Sequence, residues 1–195
     1  MKRHRSLPCV ATLFFATTVA ILGCQSPLDS PSGGTADGST NPEKVVARVT
    51  GGGHYLFAGV FDIQFAMSAI VRDDGTVSGS FHEQLTLEGQ LVDIHGTVTC
   101  VTIDPVTRRA WIGGVVTENN SEHPDFTVDI TQPGRDVWFR LLDTNDSNVP
   151  DRLTFLGFEG GGGIITSEEY CEAAIWPDDN ARTHPVTQGG IKVTP

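Results

Sequence analysis

Val60-Phe61-Asp62-Ile63-Gln64-Phe65-Ala66-Met67-Ser68-Ala69-Ile70-Val71-Arg72 alternates apolar and polar side chains almost without interruption. Phe61, Ile63, Phe65, Met67, Ala69 and Val71 share one face, and Asp62, Gln64 and Ser68 the other. A period of two sustained over this length is the pattern of a half-buried strand. Thr76 to Glu88 repeats it, with Val77, Gly79, Phe81, Leu85 and Leu87 on one face and Thr76, Ser78, Ser80, His82, Gln84 and Thr86 on the other. The turn between the two is Asp73-Asp74-Gly75. A two-residue loop there sets Met67 against His82 and mixes the faces. A three-residue loop sets Val71 against Val77, Met67 against Phe81, Ile63 against Leu85 and Phe61 against Leu87. Only the second agrees with burial, because a one-residue slip exchanges the faces. It also puts Gly75 where a three-residue hairpin needs positive φ.

A third strand, Leu91 to Ile103, follows a loop placed at Gly89-Gln90. That loop pairs Leu87 with Val92, Leu85 with Ile94, Phe81 with Val98 and Gly79 with Cys100, and turns Cys100 inward. Further strands are predicted at Ala110–Thr117, Phe126–Thr131, Val137–Leu142 and Leu153–Phe158, with shorter ones at Val45–Val49 and near Ile191–Val193. Tyr170–Ile175 reads as a strand or a short helix. The fold class is all-β: an antiparallel meander of about eight strands, closed into a small barrel or folded into a two-sheet sandwich. Either arrangement covers the edges, and the long strands favour the strongly coiled barrel.

The flanks of this region differ from it. Lys2, Arg3 and Arg5 precede an apolar stretch from Leu7 to Leu22, the layout of an export signal over residues 1–23. Residues 24–44 form a tether, mostly Ser, Pro, Gly and Thr between Gln25 and Glu43, with Leu28 its one sizeable apolar residue. Such a segment cannot bury enough surface to offset its ordering entropy. Residues 45–195 are then one domain, long enough for a single core. The chain carries 13 basic and 24 acidic residues, a formal charge of −11. Export removes three basic and no acidic groups, which leaves −14. That excess disfavours nucleic acid and anionic lipid surfaces as partners. Cys9 leaves with the signal, so Cys100 and Cys171 remain beside Cys24. In an oxidising compartment they form a disulfide worth about 4 kcal/mol in the chain-entropy model, the alternative being two buried thiols.

Ala20-Ile21-Leu22-Gly23-Cys24 resembles a bacterial lipobox. The resemblance implies acylation of Cys24, cleavage before it, and a membrane partner reached through the lipid. Gln25 after Cys24 implies sorting to the outer membrane in a Gram-negative cell. Within the domain, Gly51-Gly52-Gly53, Asp74-Gly75-Thr76-Val77-Ser78-Gly79, His95-Gly96-Thr97-Val98-Thr99-Cys100-Val101 and Ala110-Trp111-Ile112-Gly113-Gly114 resemble secreted bacterial β-domains of the post-COAP-1 type. Gly189-Gly190-Ile191-Lys192-Val193 looks like that group's closing strand. The resemblance implies an extracytoplasmic β-fold from Val45 to Val193 and carries no activity.

Glu83 is the chemical oddity of the hairpin, because its register turns a carboxylate inward, opposite Phe65 and Gly96. Unpaired burial of a carboxylate is costly, so Glu83 either lines a ligand cavity or returns to water through a bulge or a position near the open end. Asp143, Asn145, Ser147 and Asp151 occupy positions one, three, five and nine of an oxygen-rich loop that would suit Ca²⁺, although position six lacks glycine and position twelve is Thr154. A polar inter-strand loop is the plain alternative. His82 and His95 come out diagonal on the outer face, near Asp93, as metal ligands or as an ordinary exposed pair. Trp111, Trp138 and Trp176 are core residues or a stacking surface. No nucleophile, zinc or phosphate-loop motif is present. The functions implied are, in order, a binding or structural envelope module, a carrier of an apolar ligand inside the barrel, and a hydrolase using Glu83 with Asp93 or another carboxylate.

Overall fold

The structure, a computed structural model, describes residues 43–159 and 163–195. The expected export signal, Cys24 and most of the expected tether lie outside the described residues. Among the described residues there are nine strands, β1 Val45–Phe57, β2 Phe61–Arg72, β3 Val77–Leu87, β4 Gln90–Asp104, β5 Arg109–Asn119, β6 Asp136–Leu142, β7 Arg152–Thr154, β8 Gly157–Phe158 and β9 Thr183–Thr194, and one α-helix, α1, Ser167–Ala173. They order as β5-β4-β3-β2-β1-β9-β7-β6, and β6 pairs back onto β5. The result is a closed eight-stranded antiparallel barrel, with β8 added alongside β6. Closure leaves those eight strands without a free edge.

The β2–β3 register is the one the alternation demands: Ile63 faces Leu85, Met67 faces Phe81, and Val71 faces Val77. Gly75 sits at φ +84 in the three-residue turn. The β3–β4 register differs from expectation by two residues, with Leu85 facing Val92, Glu83 facing Ile94 and Phe81 facing Gly96. The loop is Glu88-Gly89, both at positive φ, not Gly89-Gln90. Two positive-φ residues make the two-residue turn whose twist suits a hairpin. A slip of two preserves which face each side chain occupies, so burial cannot detect it.

Cys100 does not point inward. A bulge between Val98 and Cys100 against β5 reverses the alternation. Val98, Val101 and Ile103 belong to the interior cluster, and Cys100 turns out to α1, where it is bonded to Cys171. The segment Phe126–Thr131 is not a strand; Pro124–Phe126 and Asp129–Thr131 are short 3-10 turns. Asn119 Nδ2 donates to the Phe126 and Thr131 carbonyls and locks that compact path. The stretch expected as one strand at Leu153–Phe158 breaks into β7 and β8 around Phe155-Leu156. Conversely, β1 and β9 are longer than expected. Their seam runs glycine against glycine, Gly52 to Gly190 and Gly53 to Gly189, and a Cβ on Gly53 would lie 1.8 Å from the Gln188 oxygen.

The interior is packed by side chains from around the ring, among them Val49, Ile63, Phe65, Val92, Ile112, Leu141 and Val193. Phe81 of β3 meets Phe139 of β6 edge to face at 5.7 Å. A second, smaller cluster lies outside the wall, where Trp111 and Trp138 pack against Tyr170 of α1. The helix is held by three devices. Thr166 and Glu169 form a capping box at its start, Ser167 N–H and Oγ both donate to Asp136 Oδ1, and the Cys100–Cys171 disulfide ties it to β4.

Candidate functional site

The side chains that alternate outward on β6 are Trp138 and Arg140, between the inward Val137, Phe139 and Leu141. Most outward strand positions meet water. These two meet α1 and the segment before β9, because the disulfide and the Asp136–Ser167 contacts hold the helix over β5 and β6. The helix does not seal the space. A cleft of about 620 Å³ remains, floored by Trp138, Phe155, Leu156 and Gly157 and walled by Phe57, Tyr170 and Ile175. Trp138 and Tyr170 stack with ring centroids 5.8 Å apart. Gly157 is required beneath the indole, since a Cβ there would lie 2.5 Å from Trp138 Nε1.

Three basic side chains join this aromatic lining: Arg140, Arg182 and His184. Arg140 is 8% exposed. Its Nη2 donates to the Ala181 carbonyl, its guanidinium lies 5.4 Å from the Trp176 ring, and Arg109 approaches the same ring at 4.8 Å. Arg140 Nε has no hydrogen-bond acceptor, and among the described residues no carboxylate pairs with Arg140. Burial lowers the pKa of His184, and Arg152 lowers it further, which favours the neutral ring. Burial raises Tyr170, with the Arg140 charge partly opposing it, so the phenol keeps its proton. At neutral pH the fixed positive charge of the cleft therefore comes from the two arginines.

Glu83 is inward, as its register implies, and only 5% exposed. Both of its carboxylate oxygens are engaged by the protein. Tyr55 Oη donates to Oε1 at 2.9 Å, and the Leu156 N–H donates to Oε2 at 3.4 Å. Desolvation pushes the carboxyl up to about 8, with the two hydrogen bonds pulling against it. Glu83 thus braces, from inside the barrel, the Phe155-Leu156 break whose other side floors the cleft. Opposite Glu83 stands Ile94, not Gly96. Asp93 projects to the outer face, so Glu83 and Asp93 do not share a site as a carboxylate pair.

The Asp143–Asp151 loop uses its carboxylates for the protein. Asp143 Oδ2 accepts from Arg108 Nη2 at 2.8 Å and from the Val193 N–H at 2.9 Å, while Oδ1 accepts from the Asn145 N–H. Asp151 Oδ1 accepts from the Thr144 N–H, and Oδ2 accepts from the Ile191 N–H at 2.7 Å. These contacts stitch the β6–β7 loop to β9. An arginine bonded to the first position opposes a cation there, and Ser147 is not a partner in these hydrogen bonds. Among the described residues, the gathering of three potential metal ligands is His82, Asp93 and His95 on the outside of β3 and β4.

Of the three tryptophans, Trp138 faces the cleft, whereas Trp111 donates through Nε1 to the Ile175 carbonyl and Trp176 to Asn180 Oδ1. Sequence reasoning missed Arg140, Tyr170, Arg182 and His184. The available signal was Trp138-x-Arg140 on the outward face of a strand, an aromatic and a cation side by side. No family model, curated protein or solved structure gives a significant match to this chain.

Proposed function

We propose that this chain is a lipid-anchored envelope protein whose barrel holds a small amphipathic organic anion in the cleft beside α1. The observation that carries the reading is Arg140: a buried guanidinium, without a carboxylate partner among the described residues, lining an aromatic cleft. Burying a charge is costly unless an opposite charge meets it, and a bound carboxylate, sulfonate or phosphate would do so. Trp138, Phe57, Phe155 and Tyr170 supply apolar area for the body of such a molecule. Binding outside the wall, and not inside the barrel as in an apolar carrier, fits an interior occupied by cross-barrel contacts such as Phe81–Phe139. A hydrolytic role has less support, because Glu83 is engaged by Tyr55 and Leu156 and faces away from Asp93. The anchor rests on the lipobox-like Ala20-Ile21-Leu22-Gly23-Cys24 and the tether behind it, which would hold the cleft clear of the membrane.

The test is a fluorescence titration with 1-anilinonaphthalene-8-sulfonate, an aromatic anion, and with its uncharged analogue N-phenyl-1-naphthylamine. The protein is expected to saturate with one equivalent of the sulfonate. Arg140→Met should weaken it by about tenfold or more, the worth of one charge-assisted contact. Equal affinity of the two proteins, or equal affinity for the uncharged dye, would contradict the reading.

A further inference from the structure

The two-residue difference in the β3–β4 register has a chemical consequence on the outer face. His82 and His95, diagonal in the expected register, stand directly opposite each other. Their rings stack with centroids 4.0 Å apart and planes 6° apart. Both Nε2 atoms converge on one oxygen: Asp93 Oδ1 lies 2.7 Å from that of His82 and 3.2 Å from that of His95. We propose that His82, Asp93 and His95 form a binding site for a divalent transition-metal ion of the Zn²⁺ class.

The geometry is close to what such an ion needs. The three donor atoms lie within 4.8 Å of one another. Bonds of about 2.0–2.2 Å in a tetrahedron set donors roughly 3.3 Å apart; His95 Nε2 stands 3.2 Å from Asp93 Oδ1, and a small imidazole rotation would widen the 2.7 Å His82–Asp93 spacing to match. Two imidazole nitrogens and one carboxylate favour Zn²⁺, Ni²⁺ or Cu²⁺ over Ca²⁺ and Mg²⁺, which seek oxygen. Asp93 is held ready for the role. Asn120 Nδ2 donates to its other oxygen at 3.3 Å, and its backbone N–H donates to Ser121 Oγ at 3.0 Å. Such outer contacts fix a ligand's orientation before the metal arrives. Asn120 also donates to Glu118 Oε1 at 3.0 Å, and Glu118 lies opposite His95 on β5, which places a second carboxylate beside the cluster. His82 and His95 line a groove of about 540 Å³ that also contains Ser80, Thr97 and Thr117, so the ion has a route from solvent. Three protein ligands beside that open groove leave a coordination position for water or a further ligand.

This site stands apart from the cleft beside α1, and neither depends on the other. The experiment is competition for Zn²⁺ against a chromophoric chelator, with the full chain and its variants. One equivalent is expected, with affinity falling at least about tenfold in His82→Gln, His95→Gln and Asp93→Asn. The His54→Gln variant removes another histidine–carboxylate pair, His54 with Asp62 at 3.2 Å, and should bind as the parent does. Melting temperatures without metal establish that each variant is folded. Zn²⁺ should then raise the melting temperature of the parent and of His54→Gln, but not of the three site variants. Parent-like binding by folded His95→Gln, an equal loss in His54→Gln, or displacement of Zn²⁺ by equimolar Ca²⁺ would overturn the proposal.

Discussion

Two hollows described on the barrel wall, the groove and the cleft, have opposite chemistry. The groove over β1–β5 is lined by hydroxyls, imidazoles and Glu118 beside Met67 and Phe81, and its members come from five consecutive long strands, with one bulge between β4 and β5 at His95/Gly96. The cleft beside α1 is aromatic and cationic, and it forms where the ladder fails: at the Phe155-Leu156 break, at the two-residue strand β8 and under a helix. The groove follows from alternation within neighbouring strands. The cleft depends on long-range ties that bring a helix onto the wall. The two should therefore respond differently to the same perturbations.

The largest separation is expected from the disulfide. Replacing Cys100 and Cys171 together with serine removes a cross-link between residues 71 apart and should cost about 4 kcal/mol of stability in the chain-entropy model. Because Cys171 lies in α1, dye binding at the cleft should weaken with it, while Zn²⁺ binding by the remaining folded protein stays near the parent value. Denaturant unfolding and the two titrations measure this. Equal weakening of both sites would mean that the groove also depends on the helix.

Next in size is the pH dependence from Glu83. Its carboxyl is raised by desolvation to about 8 in the fold, against an ordinary value of 4.5. The folded protein then holds a proton that the unfolded chain gives up. This contribution to stability is fully present below about pH 4.5, falls as pH rises, and is lost by about pH 8, at up to about 1.4 kcal/mol per unit. Glu83→Gln should flatten that slope in unfolding measured from pH 5 to 8. An unchanged slope would show that Glu83 is ionised in the fold.

A smaller effect is expected at Arg140. Removing a buried cation without a carboxylate partner should leave stability unchanged or raise it by about 1 kcal/mol in Arg140→Met, even as anion binding falls. A large loss of stability would instead make Arg140 a structural strut through Ala181 and Trp176. The smallest effect belongs to Glu118→Gln, which should weaken Zn²⁺ a few-fold and leave dye binding untouched, as a flanking carboxylate would.

The same division explains what was legible beforehand. Alternation placed Phe65, Phe81 and Val98 on a common inner face and Glu83 among them, and all four are buried there. It could not choose between registers two residues apart, so the facing histidines were missed. Nor could it foresee the bulge that turns Cys100 outward, because a bulge depends on the partner strand. The partners of Glu83, Tyr55 and Leu156, lie 28 and 73 residues away. The cleft gathers Phe57, Arg140, Tyr170 and His184 from four distant parts of the chain. Only Trp138-x-Arg140 hinted at it, and an outward pair on a strand is ordinary until something covers it.

The Arg140 Nε–H offers the most direct view of the cleft, because it is buried and lacks an acceptor. Its resonance in a nitrogen-edited NMR titration with the naphthalene sulfonate should shift together with the Trp138 indole N–H and saturate with the dye. His82 and His95 should stay in place. Saturation that leaves Arg140 and Trp138 unmoved would contradict the assignment of the cleft as the ligand site.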